Sequence, residues 1–367
     1  MKKILLILMA ALAALCIAAM PFLLTHSSML PEVTTAYYEY KAKEEALTAT
    51  GPEAELMRML TGLTADTKLE PVRTPIVFSW FGLVLAIGAV CSIGLLFLLN
   101  RKQPELRPAC LWTAALAVPF GLIGARLVYA LVSIGFYVSA IAAPSAMLKV
   151  WEGGLSLSGA LAFITLAGVI GAKLGKAPIN RMLDAMAAPI VWLVIAVTAA
   201  VQLISMGFGP ETEFSLCSVT INGVQRLNTA SLLYLVMLLL MLAAELLSKK
   251  NAPVGQRFAL YTFLYGSTMI LLESLREDGH MLWGFVHAEM VFDLCFALAA
   301  LLYLARTKMR ILLSLLATAA LAGIVVALEF ALDRSNIGDG LLYIAYIAAL
   351  AAYITLGCCW ARRREKA

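Results

Sequence analysis

The strongest constraint on this chain is repetition: apolar runs of roughly 17 to 24 residues recur along nearly its whole length, separated by short polar stretches. A bilayer core about 30 Å thick takes about 20 apolar residues per helical crossing, and only helices or closed barrels satisfy every backbone group in lipid. The runs fall at 4–24, 76–99, 109–132, 155–172, 186–206, 229–247, 258–274, 288–305, 311–332 and 340–360. They predict an all-α, polytopic membrane protein of about ten transmembrane helices. Composition agrees, with 62% of residues hydrophobic and 14% charged. Barrel strands would alternate over about ten residues at a time, and that pattern is absent.

Basic residues set the expected orientation. The loops RKQPELR, KLGKAPINR, KKNAPVGQR and RTKMR, the tail RRREKA and the pair Lys2-Lys3 hold 18 of the 28 Lys and Arg, all on one side of the ten-crossing topology. By the positive-inside rule both termini face the cytoplasm. The net charge of +5 then reflects topology and anionic lipid, and gives no ground for a nucleic-acid partner. Segment 1–25 reads as a first crossing or as a cleaved signal peptide. Cys16 follows Leu15, where a lipid-modified cysteine needs a small residue. Segment 26–74 is the one sizeable extracytoplasmic stretch before the core, and reads as a helical hairpin on the membrane surface or as a substrate-guiding flap. Seven cysteines and three histidines show no metal spacing, so no metal and no cofactor are expected.

Polar residues then converge at one depth. Arg126 lies 17 residues past Ala109, about 25 Å along a helix, near the outer surface. Glu152 opens the next helix from that side, Gln202 closes the one after, Glu273 and Arg276 leave the membrane outward, and His287 and Glu289 re-enter. Ionisable groups in membrane helices are costly and usually face a cavity or partner. Tyr261, Tyr265, Met269 and Glu273 repeat every four residues, with Arg276 at i+3. Two readings stay open for Arg126: snorkelling beside interfacial Tyr129, or a phosphate-headgroup pocket in which guanidinium bonds phosphate. Glu273 and Arg276 form an interfacial ion pair or part of that pocket. Gly153 and Gly154 permit close packing in either case.

The order of these motifs resembles one family. GLIGARLVYAL is similar to the GxxGARLxYVLF signature of phosphatidylglycerol–prolipoprotein diacylglyceryl transferases. WEGGLSLSGAL resembles their WxGGMSFHGGL, and YGSTMILLESLRED their YGxxRFxxEFFRxPD. SWFGLVLAIG (79–88) and DAMAAPIVW (184–192) match two further helices. The resemblance covers 75–306, a seven-helix core. It leaves 307–361 as two additional helices and 362–367 as a basic cytoplasmic tail.

The resemblance implies a bacterial cytoplasmic-membrane enzyme that moves diacylglyceryl from phosphatidylglycerol, or another anionic phospholipid, to the lipobox cysteine thiol of an exported preprotein. A thiol of pKa about 8.5 needs a base, and a departing phosphate needs positive charge and hydrogen-bond donors. Glu273, Arg276 and His287 are the expected catalytic residues. Arg126, Tyr129, Gly153, Gly154, Ser158 and Gln202 are expected at the phospholipid headgroup. The chain also departs from the pattern. Ser158 stands where the family has histidine, Met269 where it has arginine, Phe81 for tyrosine, and Ala288-Glu289 for Gly-Gln. VTAAVQLISMGFG (197–209) replaces GRxGNFxNGExxG. A catalytically degenerate relative that binds lipid or lipoprotein precursor without transfer is the alternative. A transporter is disfavoured, because no inverted repeat or paired broken helices are evident.

Overall fold

The computed structural model of the protein describes residues 2–23, 78–134, 147–148, 150, 153–203, 206–212, 218–221, 223–229, 232–233, 236–237, 239, 253–277, 280–305, 307–334 and 338–364. Segment 26–74, Glu152 and the tail beyond 364 lie outside the described residues.

Nine α-helices run through these residues: α1 Lys2–Leu23, α2 Trp80–Leu99, α3 Arg107–Val132, α4 Leu157–Gly175, α5 Ile179–Gln202, α6 Gln256–Ser274, α7 Ala288–Leu304, α8 Lys308–Arg334 and α9 Asp339–Arg364. The protein is an all-α polytopic membrane protein in its body. Seven of the nine are long and apolar enough to cross a membrane, α6 and α7 being the exceptions. The physical reason is position: α6 buries Gln256, Ser267 and Glu273 against neighbouring helices, so its polar groups need not meet lipid. Part of the expected span 229–247 is described as well, with helical residues at 229, 232, 233, 236, 237 and 239. Leu233 and Met237, one turn apart, bury into the same core as α6.

Two small β elements were not expected. Strands β1 Phe208–Glu211, β2 Ser218–Ile221 and β3 Val224–Asn228 form an antiparallel sheet in the order β1-β3-β2. A two-residue hairpin pairs β4 Leu282–Trp283 with β5 Val286–His287. The sequence signal for β2 and β3 is Asn222-Gly223 between SVTI and VQRLN, the residue pair that tight hairpins favour; Gly223 has φ +83°. Both elements sit at one end of the bundle, hereafter the sheet end, and the described basic loops 101–107 and 173–181 sit at the other.

Packing fixes the helices relative to that end. The α3–α4 contact is the most extensive. A Cβ on Gly124 would lie 2.5 Å from the Gly159 carbonyl oxygen, so the two backbones touch where α3 carries Arg126. At the basic-loop end, both carboxylate oxygens of Asp184 on α5 accept backbone N–H bonds, from Gly255 at 2.6 Å and Phe258 at 2.8 Å. Asp184 thus satisfies orphan donors at the start of α6 from another helix. The apolar pair α8–α9 packs on α6 and α7. Thr318 bonds Tyr353 at 2.7 Å, Trp360 donates to Ser314 at 3.2 Å, and Tyr346 donates to buried Glu329 at 3.1 Å.

Candidate functional site

Arg126 is anchored before it can do anything else. The side chain is buried, with 4% exposure. Its Nε donates to the Met147 carbonyl at 2.9 Å, and its Nη1 donates to the carbonyls of Gly153 and Gly154, the latter at 3.1 Å. Gly153 and Gly154 have φ of +81° and +72°, a left-handed pair that turns two successive carbonyls toward one guanidinium. A Cβ on Gly154 would fall 2.2 Å from the Tyr129 ring. Tyr129 therefore packs directly on this loop, with Arg126 over its face at 5.8 Å and His280 stacked on it at 5.7 Å.

Below that layer, between α2, α3, α4, α5 and α6, lies a cavity of about 240 Å³. Its walls are apolar over most of their length: Phe81, Leu85, Ala89, Ile93 and Leu96 on α2 face Ala117, Gly121 and Leu122 on α3 and Met186, Leu193 and Val197 on α5. Phe81 to Leu96 is roughly 22 Å along a helix, most of a bilayer core. Four ionisable side chains line the cavity toward the sheet end: Glu273, Arg276, His280 and Glu289. Nη1 of Arg276 donates to both oxygens of Glu273 at 3.0 Å. Glu273 is buried and Arg276 is 16% exposed, so the cation sits at the mouth of the ion pair.

The histidines divide. His280 lines the cavity, and its Nε2 lies 3.2 Å from the Leu155 carbonyl. His287 is buried behind the hairpin with Nδ1 3.2 Å from the His280 carbonyl, and it does not line the cavity. A carbonyl only accepts, so these bonds place the proton of each neutral ring on His280 Nε2 and His287 Nδ1. The structure thus brings Glu273 and Arg276 of the expected catalytic set together at the cavity with His280, and places His287 away from its wall.

Of the expected headgroup residues, Arg126, Tyr129, Gly153 and Gly154 form the layer above the cavity and are not among its lining residues. Gln202 is drawn away to the sheet, where its Nε2 donates to Asn228 at 3.2 Å. Ser158 turns to α7: its N–H donates to Glu289 at 3.2 Å and its hydroxyl makes a long 3.5 Å contact with Asp293. Asp293 was missed in the sequence. Its signal was present, a second carboxylate one turn after Glu289 in the apolar helix AEMVFDLCF. None of the six described cysteines lines the cavity. Among the described residues no group of three metal-ligating side chains is found.

The comparisons with known proteins agree with this architecture. The family model described as prolipoprotein diacylglyceryl transferase matches residues 71–327, taking in α2 to α7 and most of α8. The chain is similar to phosphatidylglycerol–prolipoprotein diacylglyceryl transferase of Bacillus licheniformis, at 24% identity over 62% of this chain and 87% of the relative. The protein of the same name from Symbiobacterium thermophilum is 27% identical over 63% of this chain and 89% of its own length. That from Dehalococcoides mccartyi is 24% identical over 66% and 96%. With the match spanning most of the chain and the site helices falling inside it, this protein belongs to the prolipoprotein diacylglyceryl transferase family.

Proposed function

We propose that this chain transfers diacylglyceryl from phosphatidylglycerol, or a related anionic phospholipid, to the lipobox cysteine thiol of an exported preprotein. The reaction would take place at the outer face of a bacterial cytoplasmic membrane, with both termini cytoplasmic. The observation that carries this reading is the shape and polarity of one cavity: an apolar channel most of a bilayer core long, ending in Glu273, Arg276, His280 and Glu289. Acyl chains fit the apolar length, and a phosphate fits the end where Arg276 stands.

In this reaction the thiol sulfur bonds to the glycerol methylene carbon that carries the phosphate ester. The carbon–oxygen bond breaks, and glycerol phosphate leaves with the electron pair. Negative charge grows on the leaving phosphate, so guanidinium N–H donors placed there lower the barrier. Glu273 orients Arg276 through its two 3.0 Å bonds. Arg126 acts one layer out, holding the Gly153–Gly154 turn against Tyr129 and, through the Tyr129–His280 stack, the imidazole at the cavity.

A second reading has its own observation. Met269, buried at 4% exposure in the cavity wall, occupies the place of a family arginine, and a thioether gives a phosphate no charge. On this reading the protein binds lipid or precursor without transfer. Purified protein in phosphatidylglycerol vesicles with a synthetic lipobox peptide decides the matter. A diacylglyceryl mass gain on the peptide with release of glycerol phosphate is expected. Peptide and lipid binding without mass gain, where another family member transfers, would replace the first reading with the second.

A further inference from the structure

The proposed transfer needs a group to take the thiol proton; of the four ionisable side chains at the cavity, Glu273 and Arg276 hold each other, which leaves His280 and Glu289. Glu273 is held by Arg276 through both oxygens. Arg276 is a cation. His280 is stacked on Tyr129, beside Arg126, and turns Nε2 to the Leu155 carbonyl. Glu289 differs. It lines the cavity at 4% exposure, and Oε2 is held by the Ser158 N–H at 3.2 Å. Its Oε1 has no hydrogen-bond partner among the described residues. Asp293, one turn further into α7 and 1% exposed, repeats the arrangement: Oδ1 meets the Ser158 hydroxyl, and Oδ2 has no partner among the described residues.

A buried carboxylate oxygen without a partner is a costly feature that calls for an explanation, and an ionisable residue buried in an apolar helix is a functional-site candidate. Here the two observations coincide at the wall of a cavity. We infer that Glu289 is the catalytic base of this chain, its carboxyl group at the cavity wall taking the proton of the substrate thiol, with Ser158 and Asp293 as positioning residues behind it. The inference rests on the proposed transferase reading and deepens it. The balance is simple: the thiol proton passes to Glu289 as sulfur bonds to the glycerol carbon, and the leaving phosphate carries away the electron pair of the broken carbon–oxygen bond. The proton then leaves Glu289 for the released phosphate or water. Ser158 supplies two contacts to the acid pair, one from its backbone and one from its hydroxyl. A small residue at 158 therefore leaves room for α7 carboxylates that a larger side chain would occupy.

The test uses the full-length protein in phosphatidylglycerol vesicles, with one lipobox peptide carrying cysteine and a second carrying selenocysteine. A selenol is already ionised at neutral pH and needs no base. Wild type is expected to transfer to both. Glu289→Gln, close in size, is expected to lose at least 100-fold with the cysteine peptide while retaining peptide and lipid binding, and to recover to within about 10-fold of wild type with the selenocysteine peptide. Glu289→Asp is expected to keep partial activity, and His280→Ala to be equally impaired with both peptides. If Glu289→Gln transfers to cysteine at the wild-type rate, or is impaired equally with both peptides, Glu289 is not the base. If wild type transfers to neither peptide, the transferase reading itself fails. Rescue by selenium in His280→Ala instead would move the base to the imidazole.

Discussion

Replacing Arg126 by lysine separates a structural anchor from a headgroup ligand. In the structure Arg126 gives Nε to Met147 and Nη1 to Gly153 and Gly154, all three acceptors being backbone carbonyls. A lysine ammonium keeps the charge but lacks the planar fork and reaches one of these carbonyls, so two bonds are lost. Side-chain hydrogen bonds in membrane proteins average about 0.6 kcal/mol and peak near 1.7, while bonds from charged donors in proteins reach about 1.5–3 kcal/mol. Taking 1–2 kcal/mol for each lost bond gives a destabilisation of about 2–4 kcal/mol, or roughly 30- to 700-fold in the folding equilibrium. The assay is reversible unfolding by SDS in mixed micelles, followed by far-UV circular dichroism. Phosphatidylglycerol and phosphatidylcholine binding is measured in parallel. Arg126→Lys is expected to unfold at markedly lower SDS while its lipid preference, in the folded fraction, stays that of wild type. A wild-type unfolding midpoint combined with a lost preference for phosphatidylglycerol would refute the anchor and make Arg126 a headgroup ligand.

Three further outcomes test the packing around the site. Asp184→Ala removes both acceptors at the start of α6 and is expected to cost about 1–2 kcal/mol, with faster amide exchange at Gly255 and Phe258 and little change at the end of α6 near Glu273. Gly154→Ala combines a φ of +72° with a Cβ 2.2 Å from the Tyr129 ring, whereas Gly223→Ala meets φ of +83° in open space. Left-handed strain of about 1–2 kcal/mol is common to both, so a larger loss of thermal stability at 154 measures the ring clash, and equal losses would mean that Tyr129 moves aside. Tyr346→Phe takes a 3.1 Å donor from buried Glu329 and is expected to destabilise the α8–α9 pair by about 1–3 kcal/mol; an unchanged thermal midpoint would show that other donors suffice.

Much of the candidate site was legible as a set of polar residues in apolar runs, and little of its geometry was. Arg126, Glu273 and Arg276 stood out because charges are rare in apolar runs, and a rare feature carries information even in one sequence. Their roles depend on partners far along the chain. Arg126 could be read as reaching lipid until its acceptors proved to be carbonyls 21 to 28 residues away. His287 was the expected histidine, yet the short hairpin at 282–287 leaves His280 at the cavity and His287 away from its wall. Gln202 has an amide at the right depth, yet pairs with Asn228 of an unexpected sheet.

The class of molecule, its helical body and the end at which polar groups gather follow from the chain's own apolar runs and its rare charges. Each follows from a local rule: about 20 apolar residues span a bilayer, and the backbone in lipid must close its own hydrogen bonds. Family membership was also readable, because ordered motifs survive when individual positions change. Which polar residues share a cavity and which bond to backbone away from it depends on how distant helices meet. Two carboxylates on α7 meet Ser158 across 131 and 135 residues of chain, and no periodicity within either helix encodes that meeting. It arises from the rotation and depth of α4, α6 and α7, which are fixed by close packing of residues such as Gly266, where a Cβ would lie 2.3 Å from the Asp293 carbonyl oxygen.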